Sequence, residues 1–438
     1  MHRRDLLTLG AALPALALAG TPPRAAGAPL RRRPDFLWGA STAGHQVEGN
    51  NVASDIWLLE QVKPTLFAEP SGDACDSLHR WNEDMDIVRA LGLNTYRFSI
   101  EWARIEPAQG QWSMAYLDHY LRMVEGCHQR GLAPVVTYSH FTSPRWFAAL
   151  GGWENTDAPS LFARFCERAT RHLGAGISHA LTFNEPNLQY MGAWSATPMP
   201  PTAMEAIHAM LAAAAKASGS TRFSLQNGGD TAAMLPQILE GHRQGRAAIR
   251  SMRGDLPVGL SLAIPDDQAV AGGEAQLARK RREVYQPFFD AAREDEFIGV
   301  QTYGRTLIGP QGTLPTPKGG EHTQTGDAFY PAALGGAVAY AHAATGKPVL
   351  VTENGIATDD DDQRARYIAG ALDSLDAQIR NGVPVLGYLH WSLLDNFEWF
   401  SGYKPHFGLV AVDHTTFKRT VKPSAQAFAR LVRARSGA

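Results

Sequence analysis

The chain has 438 residues, 44% of them hydrophobic and 19% charged, with 41 Lys and Arg against 43 Asp and Glu and only three cysteines. So much apolar material excludes a disordered chain, and a formal net charge of −2 gives no long-range field with which to gather nucleic acid. Three cysteines without a C-x-x-C pair exclude a disulfide scaffold and the common zinc and redox motifs.

The first residues read as an address. Arg3 and Arg4 precede an Ala/Leu-rich run to Ala19, and Ala26-Gly27-Ala28 offers a small-residue cleavage site. Residues 1–28 therefore resemble a twin-arginine export signal, and residues 29–438 form the working domain. The expected location is periplasmic, with release outside the cell as the alternative. No membrane span is expected in the mature chain, because the apolar run is short and is not repeated.

Beyond this segment strands and helices alternate. The pattern predicts a strand over 36–41 and a helix over 77–91, with Trp81, Met85, Val88 and Leu91 on one face. A second strand over 94–102 and a helix over 116–130 follow, then a third strand over 133–140 and a helix over 160–173. The fourth strand, 179–184, precedes two Ala-rich helices over 202–218 and 232–250. A fifth strand over 258–264, a charged helix over 281–293 and a sixth strand over 297–303 come next. Residues 309–320, rich in Gly, Pro and Thr, read as a loop insertion before a helix over 331–344. The seventh strand, 349–353, a helix over 363–380, the eighth strand, 385–391, and a closing helix over 423–435 complete the order. Cys127 and Cys166 fall inside predicted helices; at most one disulfide could form among the three cysteines, Cys75 included, and buried thiols are the more common outcome. Eight such units predict an α/β fold, a single (β/α)₈ TIM barrel with loop insertions on its C-terminal face. An open doubly wound sheet would carry a G-x-G-x-x-G after its first strand, and none occurs there.

In such a barrel the chemistry sits at the C-terminal ends of the strands. His140 ends the third, Asn184 and Glu185 the fourth, Tyr303 the sixth, Glu353 and Asn354 the seventh and Trp391 the eighth, while Arg97 lies in the second. Strands four and seven are on nearly opposite sides, so two carboxylates face each other across the mouth. Cleavage of a glycosidic bond needs that pair, one ionised and one protonated. Arg97 and Tyr303 in reach of Glu353 would hold it ionised, whereas Glu185 has no cation nearby in sequence and burial would raise its pKa. A separation near ~5 Å would mean a retaining mechanism and a wider one an inverting mechanism. Arg97 in a core ion pair and Trp391 as plain packing are the blander alternatives. His140 has no second histidine or carboxylate at metal-ligand spacing, so neither metal nor cofactor is expected.

The motifs together resemble glycoside hydrolase family 1, the β-glucosidase family. Residues 36–49 (FLWGASTAGHQVEG) are similar to the family's N-terminal signature. Tyr96-Arg97-Phe98-Ser99-Ile100, Thr182-Phe183-Asn184-Glu185-Pro186, Thr352-Glu353-Asn354-Gly355 and residues 391–399 (WSLLDNFEW) follow in family order. The resemblance spans about residues 35 to 430. It implies net retention through a covalent glycosyl-enzyme, with Glu353 as nucleophile and Glu185 as acid/base. It further implies that Gln46, His140, Asn184, Glu398 and Trp399 hold the terminal sugar, with Trp391 as stacking platform. The expected substrate is a small β-glycoside or short oligosaccharide with a terminal β-D-glucosyl, galactosyl or fucosyl unit. Relatives that cleave thioglucosides lack the acid/base carboxylate, which is present here as Glu185. Those specific for 6-phosphosugars carry Ser, Lys and Tyr where this chain has Glu398, Pro405 and Phe407, and Glu398 would repel a phosphate. His45, Asn187, Gln301 and His406 depart from the family's usual residues near the sugar and the entrance. A transglycosylase sharing the same chemistry, and a non-catalytic sugar-binding barrel, are the competing expectations.

Overall fold

The computed structural model describes residues 35–197 and 199–436. The export segment expected at 1–28 lies outside the described residues. Eight strands close a parallel barrel: β1 (Leu37–Ser41), β2 (Thr95–Ser99), β3 (Ala133–Ser139), β4 (His179–Asn184), β5 (Val258–Ala263), β6 (Phe297–Thr302), β7 (Val349–Asn354) and β8 (Val385–Trp391). Each pairs in parallel with its sequence neighbour, and β1 closes on β8 with Leu37 opposite Gly387 and Ser41 opposite Trp391. The strands read as near-continuous apolar runs because both faces are covered, one by the outer helices and one by the barrel interior.

The interior is divided. At the end where the strands begin, Leu37, Val135, Leu181, Phe297, Leu350 and Leu389 fill it as an apolar cluster, each contributing about 1.5–3 kcal/mol by leaving water. Toward the C-terminal end the inward positions become polar, with Arg97, Thr137, Asn184, Ser261, Gln301 and Glu353 all buried. The apolar plug therefore fixes the barrel, and the polar layer above it floors the mouth.

Three features differ from the sequence expectations. The helix expected at 281–293 begins at Glu274, and a π-turn over Arg281–Tyr285 interrupts it before Gln286–Ala291. Pro287 has no N–H for the regular ladder, and the register widens just before it. The insertion expected as loop begins in a strand. Asp266–Ala269, Arg305–Gly309 and Gly312–Thr313 form a small three-stranded sheet beside the mouth. Asp266, Asp267 and Gln268 give no apolar alternation, so the pairing is invisible in sequence. A hairpin of Val410–Val412 and Arg419–Val421 was likewise not predicted. Cys75, Cys127 and Cys166 are free and buried, as expected.

Candidate active site

Both glutamates follow an irregularity in their strands. The β7–β6 register shifts between Val351 and Glu353, and the β4–β5 register shifts between Leu181 and Asn184. Such bulges re-aim the side chains that follow them. Glu185 itself, one residue past β4, has φ +44°, and its N–H donates to Ser261 O at 2.8 Å. A non-glycine residue in the left-handed region is a costly backbone that the surrounding structure must hold. Gly355 has no side-chain option, since a Cβ there would overlap the Trp391 carbonyl.

Glu353 is enclosed by donors. Arg97 Nη1 donates to its Oε1 at 2.6 Å and Gln301 Nε2 to the same oxygen at 2.8 Å, while the Tyr303 hydroxyl donates to Oε2. Arg97 also reaches Thr137 Oγ1 at 3.0 Å, Thr352 O at 3.2 Å and Asn184 Oδ1 at 2.6 Å. Gln301 Nε2 shares Asn184 Oδ1 at 2.7 Å. The strand residue Arg97 is therefore an ion-pair member, and its partner is the candidate nucleophile. The Glu185 carboxyl receives no hydrogen bond from the described residues; Glu185 is 8% exposed against 3% for Glu353.

The electrostatics follow from this contrast. Burial pushes Glu185 well above the usual carboxylate range, the negative charge of Glu353 pushes it further, and Arg97 only partly opposes them. Burial also raises Glu353, but Arg97, Tyr303 and Gln301 pull it back. The partners expected to hold Glu353 ionised are in place, and burial opposes them. Desolvation is its largest influence, and the donors keep its rise smaller than that of Glu185. Burial, with the charge on Glu353, holds the Tyr303 phenol neutral as a donor.

The other predicted residues collect beside the two glutamates, on the segments that follow β1, β3 and β8. Gln46 Nε2 donates to Asn396 Oδ1 at 2.9 Å and Phe397 O at 2.8 Å, leaving its buried Oε1 without a partner. His140 is buried, its Nδ1 is unpartnered, and burial with nearby Arg97 pushes its pKa far down, so the ring is neutral. It lies parallel to Trp391 and to Trp399, at 5.7 and 6.2 Å between centroids. Glu398 Oε1 is covered and unpartnered, and burial raises its carboxyl. Unpartnered buried polar atoms on Gln46, His140 and Glu398 are groups that a hydroxylated ligand can satisfy.

The four departures separate. Gln301 still reaches both the nucleophile candidate and Asn184, so the extra methylene is accommodated. Asn187, expected near the sugar, is instead used on β5, donating to Ala263 O at 2.8 Å and accepting from Ala263 N at 3.0 Å. His406, expected near the entrance, pairs its Nδ1 with Asp359 Oδ1 at 2.6 Å on a half-exposed surface. His45 is buried against Trp399 and Glu60.

Sequence reasoning missed Gln226, which joins β3 and β4 by accepting from Ser139 Oγ at 2.8 Å and donating to Asn184 O at 3.0 Å. It lies in an irregular segment between two helices, with no motif to mark it. A cavity of about 400 Å³ opens on the same face, lined in part by Trp194, Thr197, Arg305, Leu314 and Asp327. Asp327 also borders a smaller cavity at Tyr303 and Phe407. Among the described residues no group of His, Cys, Asp and Glu is arranged to hold a metal, and no helix is long and apolar enough to cross a membrane.

Two unequal carboxyls over a closed barrel, ringed by unsatisfied polar groups and indoles, define a glycoside hydrolase. Residues 31–237 and 313–436 match the model of glycosyl hydrolase family 1. The chain is 30% identical to β-glucosidase A of Thermotoga maritima over 439 residues, covering 91% of this chain and 97% of that one. It is 29% identical to a bifunctional β-D-glucosidase/β-D-fucosidase of Bifidobacterium breve, covering 91% and 97%. Among solved structures, the apo form of a β-glucosidase superposes with a TM-score of 0.87 at 45% identity, over 91% of this chain and 98% of that one. The chain belongs to glycosyl hydrolase family 1.

Proposed function

We propose that the protein is a retaining exo-β-glycosidase that removes a terminal β-D-glucosyl unit, and also accepts fucosyl or galactosyl units. The observation carrying this reading is the inequality of the two glutamates, one held by three donors and one held by none. Glu353 attacks the anomeric carbon while Glu185 gives its proton to the departing glycosidic oxygen, so the glycosidic bond breaks as an ester to Glu353 forms. Glu185, now ionised, takes a proton from water. The resulting oxygen attacks the same carbon and releases Glu353, so two inversions restore the β configuration. Gln46, His140, Asn184, Glu398 and Trp399 grip the sugar, and Trp391 packs behind it. The names of the T. maritima and B. breve relatives support glucosides first and fucosides second. The leaving group extends toward the cavity at Trp194 and Arg305. Arg3, Arg4 and the apolar run after them support export to the periplasm.

The test is Glu353→Ala with an aryl β-glucoside. Hydrolysis should fall by about 10⁴-fold or more, and added azide should restore turnover with an α-glycosyl azide as product. Near-normal hydrolysis by that variant would overturn the nucleophile assignment. Release of the α-anomer by the unaltered enzyme would overturn retention.

A further inference from the structure

Four rings at the mouth lie close to parallel. Trp391 and His140 are 5.7 Å apart at 19°, His140 and Trp399 6.2 Å at 16°, and Trp399 and His45 5.7 Å at 5°. The last contact is the flattest, and it involves a residue that touches none of the carboxylates of the reaction. His45 is 1% exposed. Its Nε2 lies 2.9 Å from Glu60 Oε1, and both side chains are fully buried. Glu60 Oε2 in turn accepts from Ser71 N at 3.0 Å and Ser71 Oγ at 2.8 Å. The ring therefore cannot turn without breaking a buried, fully engaged pair.

Trp399 needs such a support. It is partly exposed, it opens a turn of only three residues, and its backbone is in the left-handed region at φ +53°. Its indole is placed by neighbours: His45 and His140 parallel to it, and Phe141 edge-on at 5.3 Å. The turn carrying His45 (Gly44–Val47) also carries Gln46, which donates to Phe397 O and Asn396, while Phe397 N donates to Gln46 O at 3.2 Å. One short turn after β1 thus fixes both the backbone before Glu398 and the ring after it.

We propose that His45, anchored through Glu60, is a positioning residue for Trp399 and sets how tightly the terminal sugar is gripped. This rests on the reading of Trp399 and Glu398 as sugar-holding groups. A ring held flat beneath Trp399 fixes one wall of the sugar pocket, so its removal acts on binding before it acts on the bond-breaking step.

Two variants separate the ring from its anchor. His45→Gln keeps a polar partner for Glu60 and removes the ring. His45→Phe combined with Glu60→Leu keeps a ring and replaces the buried pair by apolar groups, leaving no orphan charge. Both should raise KM for an aryl β-glucoside about tenfold while kcat stays within about twofold, and both should weaken glucose binding in calorimetry by a similar factor. A KM and a glucose affinity within twofold of the unaltered enzyme in either variant would overturn the proposal, whatever happens to the melting temperature. So would a loss confined to kcat. If the unaltered protein binds glucose but cleaves no β-glycoside, the hydrolase reading fails, and the glucose series alone still decides the role of His45.

Discussion

Around Glu353 the barrel spends guanidinium, amide and phenol donors on two carboxylate oxygens, whereas the carboxyl of Glu185, three strands away around the barrel, has none of these. Both groups are buried and both are raised by burial, so burial alone cannot distinguish them. What separates them is the set of donors aimed at Glu353, which oppose its rise, and the Glu353 charge, which adds to that of Glu185. Two identical side chains acquire different chemistry from their neighbours on β2 and β6 (Arg97 and Gln301) and from Tyr303 just past β6.

That inequality is broken most severely by removing one member. Glu185→Ala should lower kcat/KM for a β-glucoside with a poor leaving group by about 10²–10⁴-fold, and less for one whose leaving group needs no proton. Azide should then yield the β-azide, the reverse of the product from Glu353→Ala. An α-azide from the Glu185 variant would exchange the two assignments.

Replacing the central guanidinium comes next. Arg97→Lys loses the planar fork that reaches Glu353, Asn184 and Thr137 together, and kcat/KM should fall by about 100-fold. The pH profile sharpens this. The proposed mechanism requires Glu353 ionised and Glu185 protonated, so activity should fall as pH drops through the pKa of Glu353 and as pH rises through the elevated pKa of Glu185. Fewer donors on Glu353 raise its pKa, so the acid limb of the Arg97→Lys profile should move to higher pH. An unmoved limb would show that Arg97 does not stabilise the anion.

Gln301→Asn is milder. The shorter amide cannot span Glu353 and Asn184 together, and the loss of one charge-assisted hydrogen bond should cost about 1.5–3 kcal/mol, roughly 10- to 100-fold in kcat/KM. Activity above that of the unaltered enzyme would show that the longer side chain is a strain. The smallest effect is on stability. A carboxyl raised above its unfolded pKa favours folding below the ordinary carboxylate range, and that contribution is lost as pH rises through its folded pKa. Glu185→Gln should therefore raise the melting temperature at neutral pH while lowering turnover. A fall would mean that the Glu185 carboxyl makes a stabilising contact.

Much of this site is legible in sequence because barrel strands are short, apolar and end in polar residues. β4 and β8 match their predicted bounds, and β3 and β7 differ from theirs by one residue. The inward placement of Arg97, Asn184 and Glu353 follows from strand position. What sequence could not supply was anything set by contact between distant segments. Gln226 is found only by its bonds to Ser139 and Asn184, Asn187 is recognised as structural only when Ala263 lies beside it, and the small sheet at Asp266–Ala269 has no apolar pattern to announce it. The pKa order of the glutamates was legible, but not the extent to which desolvation raises both.

Arg97 also bears on how the protein can change. Its guanidinium joins β2 to Thr137 of β3, Asn184 of β4, and Thr352 and Glu353 of β7, so four of the eight staves are riveted at one point beneath the mouth. Loops above that rivet carry none of these bonds, so the Glu353 carboxylate is held independently of them from the Arg97 side. New leaving-group preferences are therefore open to evolution and to engineering at the rim, while a change at the rivet is felt on four strands at once.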